Sequence, residues 1–315
     1  MKTGLKVMLF SLIGFLALIL IFSFIPQKAT PPPRESSAVL EYYPKKIDND
    51  IPKITAKAAL VRFVSKSNGR EEDLFSKNHK EPLPIASVSK LMTALVATEI
   101  LDKEKPIAIT ESIANDKGSS NVFKANEEWD FDSLLHLMLI QSNNDAAEAL
   151  ASSYDAKKFI DLMNGKSFEI GMIDTHYINE SGLDEGEKSN ISNADDLAKL
   201  ILYIQNKYSS ILQKTRIDDY KTSDVSRTHG ILATSTNALL RLSSFPLKII
   251  GGKTGETPKA KKNLVLLTEA PACHDCGAGR PSKNGYIVIV VLQSEDHFKD
   301  IATLANWSID AFDWR

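Results

Sequence analysis

The 315-residue sequence predicts an α+β domain, with one antiparallel sheet built from N- and C-terminal segments and a central helical cluster between them. Two patterns carry this reading. Apolar strand patterns stand early, over Ala56 to Val64, and return late, over Lys248 to Gly252, Asn263 to Glu269 and Tyr286 to Gln293. Helical apolar spacing fills most of the stretch between, from Ser87 to about Gln213. Hydrophobic residues make up 43% of the chain, so a sizeable core is available. The net charge of −2, with no basic block, gives no support for nucleic acid as a partner.

Taken in order, the chain opens with an almost wholly apolar run from Val7 to Ile25, with Lys2 and Lys6 before it and Pro26 after it. That is long enough to span a bilayer as a helix. A cleaved signal peptide is the alternative, although its apolar region is shorter and no Ala-x-Ala site follows here. Residues 1–26 are therefore expected to be a membrane anchor or signal peptide. The two lysines put the N-terminus in the cytoplasm, which makes a single-pass protein of the cell membrane with its folded part extracytoplasmic. Residues 27–54 are expected to be an extended linker, stiffened by Pro31-Pro32-Pro33. Residues 55–315 are the folded domain.

Within that domain, Lys66-Ser67-Asn68-Gly69-Arg70 turns the first strand back into a second over Glu72 to Ser76. Ala86 to Leu101 is a helix with a stripe of Val88, Leu91, Met92, Leu95, Val96 and Ile100; Pro82 and Pro84 stop it from starting earlier. Leu134 to Ile140 and Asp145 to Leu150 are helical and flank a short link. The last two strands form an antiparallel hairpin, and Ile301 to Phe312 closes the domain as a helix.

Three short motifs stand in one order on this frame: Ser87-Val88-Ser89-Lys90, Ser142-Asn143-Asn144 and Lys253-Thr254-Gly255. Ser-x-x-Lys occurs only at Ser87. Ser-x-Asn also occurs at Ser119 and Ser235, both in polar stretches, whereas Ser142 sits on the link between two helices. Lys2-Thr3-Gly4 repeats the third motif, but before the apolar run and outside any folded cleft. Ser87 and Lys90, three apart on a helix, share a face. Ser87 lies in the first turn, where free N–H groups favour developing negative charge. Burial and a second cation, with Lys253 the candidate, disfavour a charged Lys90 and make it a base for the Ser87 proton. Lys253 and Thr254 suit a substrate carboxylate, and Gly255 lets the strand's backbone come close to a ligand.

These residues resemble the serine D-alanyl-D-alanine carboxypeptidases, the low-molecular-mass penicillin-binding proteins with a β-lactamase-like fold. The likeness is carried by Pro84 to Ala94, by Gly118-Ser119-Ser120 with Gln141 to Ala147, by Gly171-Met172 with Asn179 to Asp184, and by Asn237 to Leu240 with Gly252 to Pro258. It implies removal of the terminal D-Ala from peptidoglycan stem peptides through an acyl-enzyme on Ser87, without a cofactor or metal, and β-lactams as covalent inhibitors. It implies Lys90 as general base, and Ser142 and Asn144 as cleft residues that pass protons. It implies Lys253 and Thr254 on the terminal carboxylate, with Gly255 beside them. The backbone N–H groups of Ser87 and Glu256 would form the oxyanion hole.

The sequence departs from the family at Glu180, where Pro is usual, and at Lys261-Lys262, where Gly is often found. A D,D-endopeptidase cutting peptidoglycan cross-links is a close alternative, because the motifs do not separate the two reactions. An inactive wall-binding relative would have lost Ser87 or Lys90, and neither is lost. A class A β-lactamase would need a further glutamate, and no matching Glu-x-x-Leu-Asn occurs. Cys273 and Cys276 flank His274 and Asp275 in a loop; a local disulfide is expected, with free thiols as the alternative. Two Cys and one His are too few for a structural metal site. The histidines, His297 among them, are assigned structural or surface roles, with His136 packed on an apolar helix face.

Overall fold

The computed structural model describes residues 44–48, 50–115, 122–271 and 285–314. The apolar run Val7 to Ile25, Gly118-Ser119-Ser120 and the pair Cys273 and Cys276 lie outside these residues. Among the described residues, no helix is long and apolar enough to cross a membrane.

A five-stranded antiparallel sheet forms the frame. Its strands are β2 (Ala58–Ser65), β3 (Glu71–Lys77), β4 (Ile249–Thr257), β5 (Lys261–Glu269) and β6 (Gly285–Ser294), in the order β4-β5-β6-β2-β3. A short strand β1 (Pro44–Lys46) pairs with β7 (Phe312–Trp314). The expected linker thus reaches the folded domain before its end: Trp307 also donates to the Asp50 carbonyl.

Every residue of β2 is buried. The reason is that both faces of the sheet are covered. Ala58, Leu60, Val265, Leu267, Val288 and Val290 face the helices. Ala59, Val61, Phe63, Leu264, Leu266, Ile287 and Ile289 face the closing helix α6 (His297–Asp310) through Ile301, Leu304 and Ala305. This two-sided alternation explains why the strands read as continuous apolar runs. The other face carries α1 (Lys90–Ile100), α2 (Phe131–Ile140), α3 (Asn144–Ser152), α4 (Ala156–Glu169) and α5 (Ala194–Lys207). Caps define several starts: Asp130 accepts from the Ser133 N–H, Asn143 from Ala146 and Asn193 from Asp196.

Two sequence expectations shift, and one element is new. The helix expected over Ala86 to Leu101 begins as a 3-10 turn, Ala86–Ser89, and becomes α-helical only at Lys90. The strand expected to end at Gly252 runs on to Thr257, because pairing with β5 organises a stretch whose own residues carry no strand pattern. A hairpin of Asp219–Ser223 and Gly230–Thr234, unforeseen, packs beside α2.

Candidate active site

The site forms where the 3-10 turn before α1, the α2–α3 link and strand β4 meet. Ala86 enters the turn in the left-handed region, φ 49°. That conformation presents Ser87 at the front of the turn. Gly182, at φ 84°, packs behind it: a Cβ there would lie 2.1 Å from the Ala86 carbonyl oxygen. Gly255 closes the other side, where a Cβ would meet the Ile85 carbonyl oxygen at 2.6 Å and the Val88 nitrogen at 2.9 Å. The physical demand for glycine at 255 therefore comes from the serine turn itself, not from a ligand as the sequence suggested.

Lys90 is fully buried, and its Nζ lies 3.0 Å from Ser87 Oγ, 2.7 Å from Asn144 Oδ1 and 2.5 Å from the Ser181 carbonyl oxygen. Burial pushes its pKa well below the usual lysine range, and the nearby Lys253 pushes the same way; Glu180 and Asp145 oppose both. A neutral amine keeps two N–H groups and one lone pair. Asn144 and the Ser181 carbonyl accept the two N–H groups, which leaves the lone pair facing the Ser87 hydroxyl. This is the geometry a general base requires.

Lys253, 1% exposed, donates to Ser142 Oγ at 2.9 Å and to the Thr254 carbonyl at 3.0 Å. Burial lowers its pKa to about 7. Ser142 adopts φ 62°, a left-handed conformation that costs a non-glycine residue about 1–3 kcal/mol. The Thr254 hydroxyl shares a 2.6 Å hydrogen bond with Thr236 Oγ1. Ser87, Ser142, Thr236, Thr254, Gly255 and Glu256 line one cleft of about 280 Å³. Each predicted catalytic and substrate-binding residue is thus brought to this locus, with Lys90, Asn144 and Lys253 hydrogen-bonded to one another or to the serines of the cleft.

Sequence reasoning missed the layer beneath. Asn190 is buried and donates through Nδ2 to Ser89 Oγ at 2.9 Å and to the Asn179 carbonyl at 2.8 Å. Its Oδ1 accepts from the N–H of Ile178 at 2.7 Å. Asn179 Oδ1 in turn accepts from the Gly182 N–H at 2.7 Å. These two amides fix the loop that aims the Ser181 carbonyl at Lys90. Glu180 keeps a backbone role, its carbonyl accepting from Thr93 Oγ1 at 2.6 Å. Burial raises the pKa of its carboxyl group while Lys90 lowers it. Among the described residues, no group of His, Cys, Asp and Glu is placed to hold a metal ion. His136 is packed as expected: its ring stacks on Tyr220 at 4.1 Å, and burial lowers its pKa.

A serine held beside a buried lysine, on this sheet-and-helix frame, defines a serine hydrolase of the penicillin-binding type. Residues 45–272 match the family model of peptidase S11, D-alanyl-D-alanine carboxypeptidase, and the chain belongs to that family. It is 30% identical to a D-alanyl-D-alanine endopeptidase of Escherichia coli, over 73% of this chain and 71% of the relative. A D-alanyl-D-alanine carboxypeptidase of Bacillus subtilis is 33% identical over 61% of this chain and 49% of its own length. The structure of penicillin-binding protein D2 from Listeria monocytogenes with bound cefotaxime is similar at a TM-score of 0.68 and 28% identity. That likeness covers 84% of this chain and all of the other.

Proposed function

We propose that the chain removes the terminal D-Ala from peptidoglycan stem peptides through an acyl-enzyme on Ser87. The observation that carries this is the Lys90 environment: a buried amine, two neutral oxygen acceptors and Ser87 Oγ at 3.0 Å. Ser87 Oγ attacks the penultimate D-Ala carbonyl as its proton passes to Lys90 Nζ. The terminal carboxylate lies against the Lys253 ammonium and the Thr254 hydroxyl, which Thr236 orients. Ser142, hydrogen-bonded to Lys253, hands its proton to the leaving D-Ala nitrogen. It is replenished by the proton that Lys90 took from Ser87, which leaves Lys90 neutral again. The N–H groups of Ser87 and Glu256 receive the oxyanion. Lys90 then takes a proton from the water that cleaves the ester. β-Lactams acylate the same serine.

The endopeptidase reading has a specific support: the E. coli relative that matches along most of this chain bears that name. The apolar run Val7 to Ile25, with Lys2 and Lys6 before it, supports a single-pass anchor that holds the domain of 55–315 on the extracytoplasmic side.

The test is fluorescent-penicillin labelling of wild-type protein and Ser87→Ala, followed by D-Ala release from a pentapeptide and from a cross-linked dimer. Covalent labelling lost in Ser87→Ala, with release from the pentapeptide, is the expected result. Cleavage of the dimer alone selects the endopeptidase. Folded wild-type protein that takes no label overturns the proposal.

A further inference from the structure

His297 was assigned a structural or surface role by its sequence context, yet it lies on the wall of the cleft that holds Ser87, Ser142, Thr254 and Glu256. Sheet pairing brings it there. Glu256 on β4 pairs with Lys262 on β5, and Lys262 pairs with Ser294 on β6. Three residues further on, His297 opens α6. It therefore stands at the Glu256 end of the cleft. Phe298 joins it on that wall, the two ring centroids 3.9 Å apart.

The side chain is 7% exposed, and its Nδ1 is sealed from solvent with no hydrogen-bond partner. A buried polar atom without a partner is uncommon enough to need a cause. Burial, then the charge of Lys262, lowers the ring's pKa to about 4, against the opposing charges of Asp296 and Asp300. The imidazole is neutral at ordinary pH and carries one N–H. A sealed, unpaired N–H costs about 1–3 kcal/mol, and a sealed bare lone pair costs less. The proton accordingly belongs on Nε2, the ring nitrogen that is not sealed.

The substrate's direction fixes what meets this donor. With the terminal carboxylate at Lys253 and Thr254 and the reacting carbonyl at Ser87, the peptide upstream of the cut runs past Glu256. We infer that His297 is a specificity-determining residue whose Nε2–H donates to an oxygen of the third residue from the peptide's C-terminus, on its side chain or N-acyl carbonyl. Phe298 supplies the apolar surface beside that oxygen. This inference rests on the carboxypeptidase reading above.

The experiment compares kcat/KM for N,N′-diacetyl-L-lysyl-D-alanyl-D-alanine with that for N-acetyl-D-alanyl-D-alanine, which lacks the third residue. The ratio is taken within one preparation, so any loss of folded enzyme cancels. His297→Phe is expected to lower the ratio about three- to tenfold, the worth of one hydrogen bond. His297→Gln, which keeps an N–H, is expected to recover at least half of that loss. A ratio unchanged in His297→Phe overturns the inference and leaves the carboxypeptidase reading intact. Wild-type protein that releases D-Ala from neither peptide overturns both.

Discussion

Two regions of this domain bury cations and treat them in opposite ways. Arg62, on the helix-facing side of β2, meets Asp73 at 2.5 Å, Asp195 at 2.7 Å and Glu71 at 3.1 Å. Burial opposes its charge, but those carboxylates win and raise its pKa. Lys90 and Lys253 meet only hydroxyl, amide and carbonyl oxygens within hydrogen-bond reach, and burial drives both pKa values down. Burial alone does not decide what a buried cation does. A carboxylate partner makes it a permanent tie between β2 and the start of α5; neutral partners make it a group that can lose its proton.

The largest test of this contrast is Lys90→Arg. Guanidinium stays charged at any working pH, so the base is gone while the charge remains. Penicillin acylation is expected to fall about 100- to 10,000-fold with near-native circular dichroism. A labelling rate within tenfold of wild type removes Lys90 from the role of base.

Arg62→Met breaks the other site. It leaves Asp195 with Lys199 as its remaining partner and is expected to cost about 2–3 kcal/mol in a urea titration, less than a fully buried pair because Lys199 stays and Glu71 and Asp73 keep water. The acylation rate per folded molecule stays the same. A fall in that rate means that the two regions are coupled.

A smaller effect is expected from Asn190→Ala, which frees the loop carrying the Ser181 carbonyl. We expect about a tenfold lower acylation rate and a displaced acid limb of the pH profile. A lower melting temperature with an unmoved profile makes Asn190 a scaffold residue only.

The smallest effect is a shift in pH dependence. Lys253 holds its charge below a pKa of about 7, so binding of a carboxylate substrate weakens as pH rises above that value in the free enzyme. Lys253→Arg stays charged and moves this alkaline limb upward; an unmoved limb assigns it to another group. Stability changes with the same proton. The folded pKa lies below the unfolded lysine value, so the unfolded chain binds more protons between about 7 and 10.5 and stability rises with pH across that window.

What was legible in the sequence follows the same division. Ser87, Lys90, Ser142, Asn144, Lys253 and Thr254 carry the proposed chemistry in their side chains, and their spacing on helix, link and strand survives folding almost unchanged. The three central strands, β2, β5 and β6, were legible because both of their faces are apolar. The Ser181 carbonyl was not legible, since a backbone oxygen has no residue type to betray it. Asn190 looks like an ordinary loop residue, and Asn179 only like part of a family stretch, until the two amides are seen to hold one loop. His297 was hidden because the proximity that matters is two strand pairings away from Glu256. Gly255 was noticed for the right property, close backbone approach, but the approaching group is the serine turn.

The sheet order carries a consequence for the timing of synthesis. Strand β2, made early, pairs locally with β3 but finds its other partner only in β6, with Ala58 opposite Leu292. Such distant pairing makes folding slow, because a long loop must close before the contacts reward it. Lys253 and its strand also emerge late, well after Ser87 and Lys90. A ribosome-bound chain that already displays the Ser-x-x-Lys turn thus lacks the second lysine and the sheet that seals Lys90 from water. On the proposed mechanism its serine stays an ordinary alcohol until the last third of the polypeptide arrives, and the chain becomes reactive only as its fold is completed.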